Sequence, residues 1–324
     1  MRKLVLSLIV SAVLLSLAGC QPAAKEYLVV DFKPQKPLTY KLISQRDVQL
    51  KLDSTGKSKP EVISEKLEMI VSYRPVGIVD GYGQKTIEAN CISAKATRKG
   101  KGASSNDVVN SLTGKSYTFK ISPSGKITDF ANMTALAKSL GRQTIQKRGK
   151  QGSIKSPDMI ADFAALQWHL WDAVSSVENP LEGIKPGQSW SSKQFVPLPV
   201  PVGFARISTH TFTGNLSDDS LYQDDQKRIV IDSTYQLGEG PVDNWPKIYT
   251  GGFNMKGTFG ILRGFRMLSL DGTGNMIFNV DRGIIEKDVQ QYKADLSAEF
   301  LLPLAGTSPS LSVDQKITVE LMEN

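Results

Sequence analysis

Apolar and polar residues alternate with a period of two over most of this chain, and that alternation predicts strands. Tyr27 to Leu52 reads as one or two strands, interrupted by the Lys-Pro-Gln-Lys-Pro loop at 33–37 and closed by Asp53-Ser-Thr-Gly56. Glu61 to Tyr73 and Lys85 to Thr97 follow, joined by a glycine-rich turn at 77–83, and look like an antiparallel meander. Within Lys85 to Thr97, strict alternation puts Ile87, Ala89 and Cys91 on one face and Ile92, Ala94 and Ala96 on the other. Tyr117 to Ile121 and Lys126 to Thr128 form a hairpin around Ser-Pro-Ser-Gly125. A similar shape recurs from Phe278 to Ile285 around Gly283, which hints at an internal duplication.

Between the hairpins the period changes to a helical one. Asp129 can cap a helix through about Arg148 that has Phe130, Met133, Ala137 and Leu140 on one side. A second helix is predicted from about Pro157 to Val177, with proline and Asp158 in its first turn and a stripe of Phe163, Leu170, Val174 and Val177. From Ser189 the chain returns to strands at about 189–196, 204–216, 227–237, 248–270 with a break, 274–281, 284–294, 296–302 and 314–322. Phe195 to Val202 carries proline at every second position from 197 to 201, so it can pair along one edge only, or runs as polyproline II.

The fold class expected is therefore α+β and β-rich: antiparallel sheets, as a curved half-barrel or sandwich-like, with a two-helix insertion at about 129–177. Residues 38–130 make a first β-rich portion, 131–180 a helical segment and 181–324 a second β-rich portion.

The N-terminus does not follow these periods. Arg2 and Lys3 precede an apolar run from Leu4 to Leu17 that is shorter than a membrane span, and the run ends in Leu17-Ala-Gly-Cys20. This layout resembles a bacterial lipobox. It implies a signal peptide over 1–19, acylation of Cys20 and a tether over 20–37. Gln21 follows the cysteine where aspartate would favour inner-membrane retention, so the expected location is the cell envelope, on the outer membrane facing the periplasm. Two or more acyl chains hold a protein persistently, at roughly 0.8 kcal/mol per buried CH₂.

Composition changes this picture little. The 324 residues carry a formal charge of +7, of which Arg2 and Lys3 leave with the signal peptide. The remaining charges are scattered, and no basic stripe with interleaved aromatics marks a nucleic-acid surface. A lipidated Cys20 leaves Cys91 without a disulfide partner, as a buried, inert thiol.

Chemistry is sparse. Two histidines, His169 and His210, limit proton transfer and metal binding. No His-Glu-x-x-His, Gly-x-Ser-x-Gly or zinc-spaced cysteine pair occurs, and neither a metal nor a cofactor is expected. The aspartates at 218, 219, 224 and 225 can be a solvated turn or oxygen ligands for a hard cation; they lack the spacing of a calcium loop. Trp168 and His169 lie off the centre of their helix's apolar stripe and can be exposed. Phe253, Met255, Phe259, Ile261 and Phe265 can face a ligand cavity or form ordinary core.

Two longer motifs carry a resemblance. Leu112-Thr-Gly-Lys-Ser-Tyr-Thr-Phe-Lys-Ile-Ser-Pro-Ser-Gly-Lys-Ile127 and Ile184-Lys-Pro-Gly-Gln-Ser-Trp190 make the chain resemble a family of bacterial secreted lipoproteins of unknown function. The resemblance implies a β-rich fold and an envelope location, and brings no activity. In outline the layout is also similar to the half-barrels of periplasmic carriers of the LolA and LppX type, an analogy of fold alone. The partners expected are a membrane, through the N-terminal lipid, and an apolar or amphipathic ligand bound in a curved sheet. The alternatives are a structural or protein-interaction module of the envelope and a hydrolase whose site the sequence hides.

Overall fold

The computed structural model describes residues 25–28, 36–51, 59–77, 83–100, 108–122, 127–129, 131–133, 135–136, 139, 180, 182–195, 205–215, 224–238, 262–300 and 310–322. These form one antiparallel sheet of eleven strands: β1 (Leu38–Lys51), β2 (Glu61–Val76), β3 (Lys85–Lys99), β4 (Lys115–Ile121), β5 (Ile127–Asp129), β6 (Ser189–Phe195), β7 (Ala205–Asn215), β8 (Arg228–Leu237), β9 (Leu262–Asn279), β10 (Ile284–Phe300) and β11 (Ser310–Met322). The order across the sheet is β5-β4-β3-β2-β1-β11-β10-β9-β8-β7-β6. The chain starts in the middle, steps outward to β5, crosses to the opposite edge at β6 and steps back until β11 pairs with β1 from Thr39↔Met322 to Lys51↔Ser310. Both β-rich portions thus enter a single sheet, so the sandwich-like alternative is not formed.

One face is apolar because each strand alternates. In β1, Tyr40, Leu42, Ser44, Arg46 and Val48 are buried while Lys41, Gln45 and Asp47 are not. The alternation in β3 contains a correction. Ile92 sits in a β-bulge opposite the Ile70/Val71 step and is 47% exposed. The extra residue flips the phase, so Cys91, Ala94 and Ala96 all lie on the buried face rather than on two. Likewise, the described parts of the predicted pairs 248–270 with 274–281, and 284–294 with 296–302, belong to single strands, β9 and β10, that run through the glycines at 272 and 274 and through a bulge at Asp295/Leu296.

The two-helix insertion expected over 129–177 is not borne out among the described residues. They show helical backbone only within 131–139, where Asp129 Oδ1 accepts from Ala131 N at 3.0 Å, and 140–179 lies outside them. A short 3-10 helix, Val108–Leu112, was not foreseen. It sits beside β3 beyond the end of β4. There Asn110 Oδ1 accepts from Ala96 N at 2.7 Å and Thr113 Oγ1 from Ala94 N at 3.0 Å, satisfying donors that a bare edge would expose. At the other edge, β6 ends at Phe195, where the proline alternation begins; residues 196–204 lie outside the described residues.

Candidate functional site: the inward face of the sheet

Register rows run straight across the buried face. At the end of the sheet where β1 begins, the face is aromatic. Tyr40 and Tyr73 have ring centroids 6.4 Å apart, Tyr73 and Phe119 6.5 Å at 77°, and Tyr117 and Phe119 6.2 Å. Edge-to-face and tilted contacts of this kind add to area burial. Burial pushes the phenols of Tyr40, Tyr73 and Tyr117 well above their ordinary range, and Tyr40 Oη donates to the Ile285 carbonyl at 2.9 Å. Towards the other end the face is aliphatic, with Leu270, Ala294, Leu296, Leu311 and Val313.

Between these two ends a polar belt crosses the sheet. One register row reads Arg98, Glu65, Arg46, Gln315, Tyr292, Gly272, Tyr235, and the next reads Ala96, Leu67, Ser44, Ile317, Gln290, Gly274, Ser233. Glu65 takes both arginines: Arg46 Nε donates to Oε2 and Arg98 Nε lies 2.6 Å from Oε1, with all three side chains less than a tenth exposed. Gln315, wholly buried, donates from Nε2 to Ser44 Oγ at 3.0 Å, and its Oε1 has no partner among the described residues. Gln290 Nε2 donates to Asp288 Oδ2 at 2.7 Å. Buried charge is tolerated only where it is paired and hydrogen-bonded. An apolar face that carries such a belt is chemically amphipathic.

β9 makes room for the belt. A Cβ on Gly272 would come within 2.5 Å of the Gln291 carbonyl oxygen and of Tyr292 Cβ, and a Cβ on Gly274 would overlap the Tyr235 hydroxyl. The two tyrosine side chains occupy what alanine would fill.

The outward face is polar. Two shallow depressions open on it, of about 430 Å³ near Thr234, Thr273 and Gln291, and about 580 Å³ near Asp47, Lys66 and Lys99; Lys316 borders both. Opposite charges interleave there. A hydrogen bond from Lys66, 3.0 Å away, is the main cause holding the Glu68 carboxyl below its usual range. At the β8 entrance a second network gathers: Arg228 binds Asp224 and, 2.7 Å away, Glu286, and Asn279 Nδ2 donates to both Gln226 Oε1 and Glu286 Oε1. The Asp224 carboxyl is held low, chiefly by its hydrogen bond from Arg228.

Of the residues singled out in the sequence, Cys20, Trp168, His169, Phe253, Met255, Phe259 and Ile261 lie outside the described residues. Phe265 lies in β9, paired in register with Ala298, and its side chain is outside the described set. Cys91 is buried as expected, and burial pushes its thiol up to about 11. Sequence reasoning missed the belt. Its signal was present: Arg46, Glu65, Gln290 and Gln315 occupy positions in phase with apolar or aromatic neighbours two residues away.

No family model and no curated protein matches the chain. Among solved structures it is similar to lipovitellin, from work on lipid–protein interactions in that protein, with TM-score 0.45 and 10% identity over 90% of this chain. The chain spans 26% of that lipovitellin chain. It is also similar to an outer membrane channel from Pseudomonas putida F1, with TM-score 0.21 and 7% identity over 94% of this chain and 100% of the channel. Pseudomonas aeruginosa OpdQ gives TM-score 0.21 and 7% identity over 89% of this chain and 99% of its own.

Proposed function

We propose that this protein is a lipoprotein of the cell envelope, cleaved before Cys20 and acylated there, on the outer membrane facing the periplasm, whose sheet curves into a half-barrel and holds an amphipathic ligand against its inward face. The observation that carries this reading is the belt. The face is aromatic at one end, aliphatic at the other and crossed by Arg98, Glu65, Arg46, Gln315 and Gln290, so one face of the sheet holds polar and apolar groups in separate zones, as the two halves of an amphiphile require. The apolar sequence at 253–265 supplies further ligand-facing groups in this reading. The lipobox sequence accords with an envelope setting.

Native mass spectrometry of the acylated protein, released from membranes in mild detergent, tests the reading. It should show an amphiphile bound in simple stoichiometry that survives detergent exchange, and Arg46→Met should reduce its occupancy. A folded wild type that carries no ligand and binds no acyl, sterol or isoprenoid probe would contradict it. One observation favours the alternative of an interaction module without a small ligand: Tyr235 and Tyr292 fill the space over Gly272 and Gly274 with the protein's own side chains.

A further inference from the structure

Resting on the lipoprotein reading above, we infer that the molecule meets its membrane with the end of the sheet that carries the β9–β10 turn, and points the opposite end away. The inference comes from how the N-terminal segment is fastened. Glu26 pairs with Ile184 through two backbone hydrogen bonds, Glu26 N to the Ile184 carbonyl at 2.7 Å and Ile184 N to the Glu26 carbonyl at 2.9 Å. Lys227 Nζ binds the Glu26 carboxylate. Leu28 is buried with Ile184, Ile229, Ile231, Phe278 and Ile285 in a core cluster separate from the main one. Gly183 has φ 76°, and a Cβ there would press on the Tyr27 ring and the Glu26 carbonyl at 3.1 Å, so this close approach needs glycine.

All these groups belong to one end of the sheet, where β8 starts at Arg228, β9 ends at Asn279 and β10 starts at Ile284. Cys20 is only six residues before Glu26 in the chain. At most ~3.3–3.6 Å per residue, the acylated residue stays within about 20 Å of this fastened end. β9 has 18 residues, which at ~3.3 Å each puts the far end of the strand more than about 50 Å away. The β8–β9 connection, whose sequence holds Phe253, Met255 and Phe259, leaves β8 at Leu237, beside the middle of β9, and enters β9 at Leu262 at that far end. Charge plays little part in the orientation. Three cations at the fastened end are matched: Lys227 by Glu26, Arg228 by Asp224 and Glu286, and Arg282 by Glu286 at 3.8 Å. A surface held by lysine and arginine alone would release as salt screens it; a covalent tether this short does not.

The test uses the full acylated chain in phospholipid vesicles whose acyl chains are brominated. A fluorophore is placed at Asp225→Cys, exposed at the fastened end, or at Lys59→Cys, exposed at the far end, while Cys91 is too buried to react. Incorporation of a labelled fatty acid is read on the same samples. Quenching should be several-fold stronger at 225 than at 59 and unchanged at high salt. A flexible Gly-Ser insertion of about 15 residues after Ala24, adding roughly 20 Å of root-mean-square reach, should weaken it at 225. Equal quenching at both sites, or stronger quenching at 59, on acylated protein would overturn the orientation while leaving the lipoprotein reading intact. No fatty-acid incorporation would overturn the lipoprotein reading and remove the tether on which the orientation depends.

Discussion

Gly272 and Gly274 sit two residues apart on the same face of β9, yet they should respond differently to the same substitution. At Gly272 a new methyl meets a backbone carbonyl oxygen of β10, which cannot rotate away, whereas at Gly274 it meets the far end of the Tyr235 side chain. Overpacking of this kind costs typically ~1–3 kcal/mol. Gly272→Ala should therefore fall at or above the top of that range in denaturant unfolding, and Gly274→Ala near the bottom; equal losses would contradict the packing described. The buried acids give a second prediction. Cys91 is raised from 9.0 to about 11, and Tyr40, Tyr73 and Tyr117 are raised above 10.0. A raised folded pKa means that the native state holds its proton where the unfolded chain has released it. Stability is then fully present below pH 9 and falls as pH climbs from 9 through 11. Thermal melts across that window should show a declining Tm, with phenolate absorbance appearing together with unfolding rather than before it.

At the scale of elements, the strands were legible because alternation is a local property. All the strands of the sheet except the merged β9 and β10 had their counterparts in the pattern of residues 38–129 and 189–322. What alternation could not show was where its phase breaks. The bulge at Ile92 depends on β2 holding one residue fewer across the step, and the continuity of β9 through Asp271-Gly-Thr-Gly-Asn275 depends on two tyrosines from neighbouring strands. The short helix at 108–112 was missed for a related reason: its purpose is to cap an edge that only the folded sheet possesses. Asn110→Ala and Thr113→Val each remove one hydrogen bond to β3, worth about 1 kcal/mol. Together they should lower stability by roughly 2 kcal/mol by the same measure and raise the tendency to aggregate through the opened edge, as seen in unfolding curves and light scattering. Stability loss without aggregation would mean that the edge is protected by something else.

For the molecule as a whole, the seam between β1 and β11 is decisive, and nothing local announces it. Thr39 meets Met322 and Leu42 meets Val319 across nearly the whole length of the chain, and such non-local pairing is invisible to periodicity. The seam makes one core of both β-rich portions, since a single cluster includes Leu42, Leu67 and Ile87 from one and Tyr292, Leu296 and Val319 from the other. Leu42→Ala should cost about 2–5 kcal/mol, and calorimetry should show one transition for both portions, in the wild type and in the variant; two separated transitions would show that the seam does not couple them. The belt follows from the same seam, because Arg46 and Gln315 become neighbours only when β1 and β11 pair. Arg46, Glu65 and Arg98 form a similar dependency across β1 to β3, so Glu65→Leu leaves two buried guanidinium groups without their shared carboxylate. Loss of one partner of a buried pair costs about 3–5 kcal/mol.

The central claim is that an amphiphile lies against this face, and photo-crosslinking locates it. A fatty acid with a diazirine in its chain is bound to the acylated protein and irradiated, and the adducts are mapped by peptide mass spectrometry. Adducts should fall on inward-facing residues such as Leu67, Met69, Tyr292 and Val319, and excess unlabelled ligand should suppress them. Adducts confined to outward residues such as Val62, Ile92 and Leu268, or none that a competitor displaces, would contradict the account.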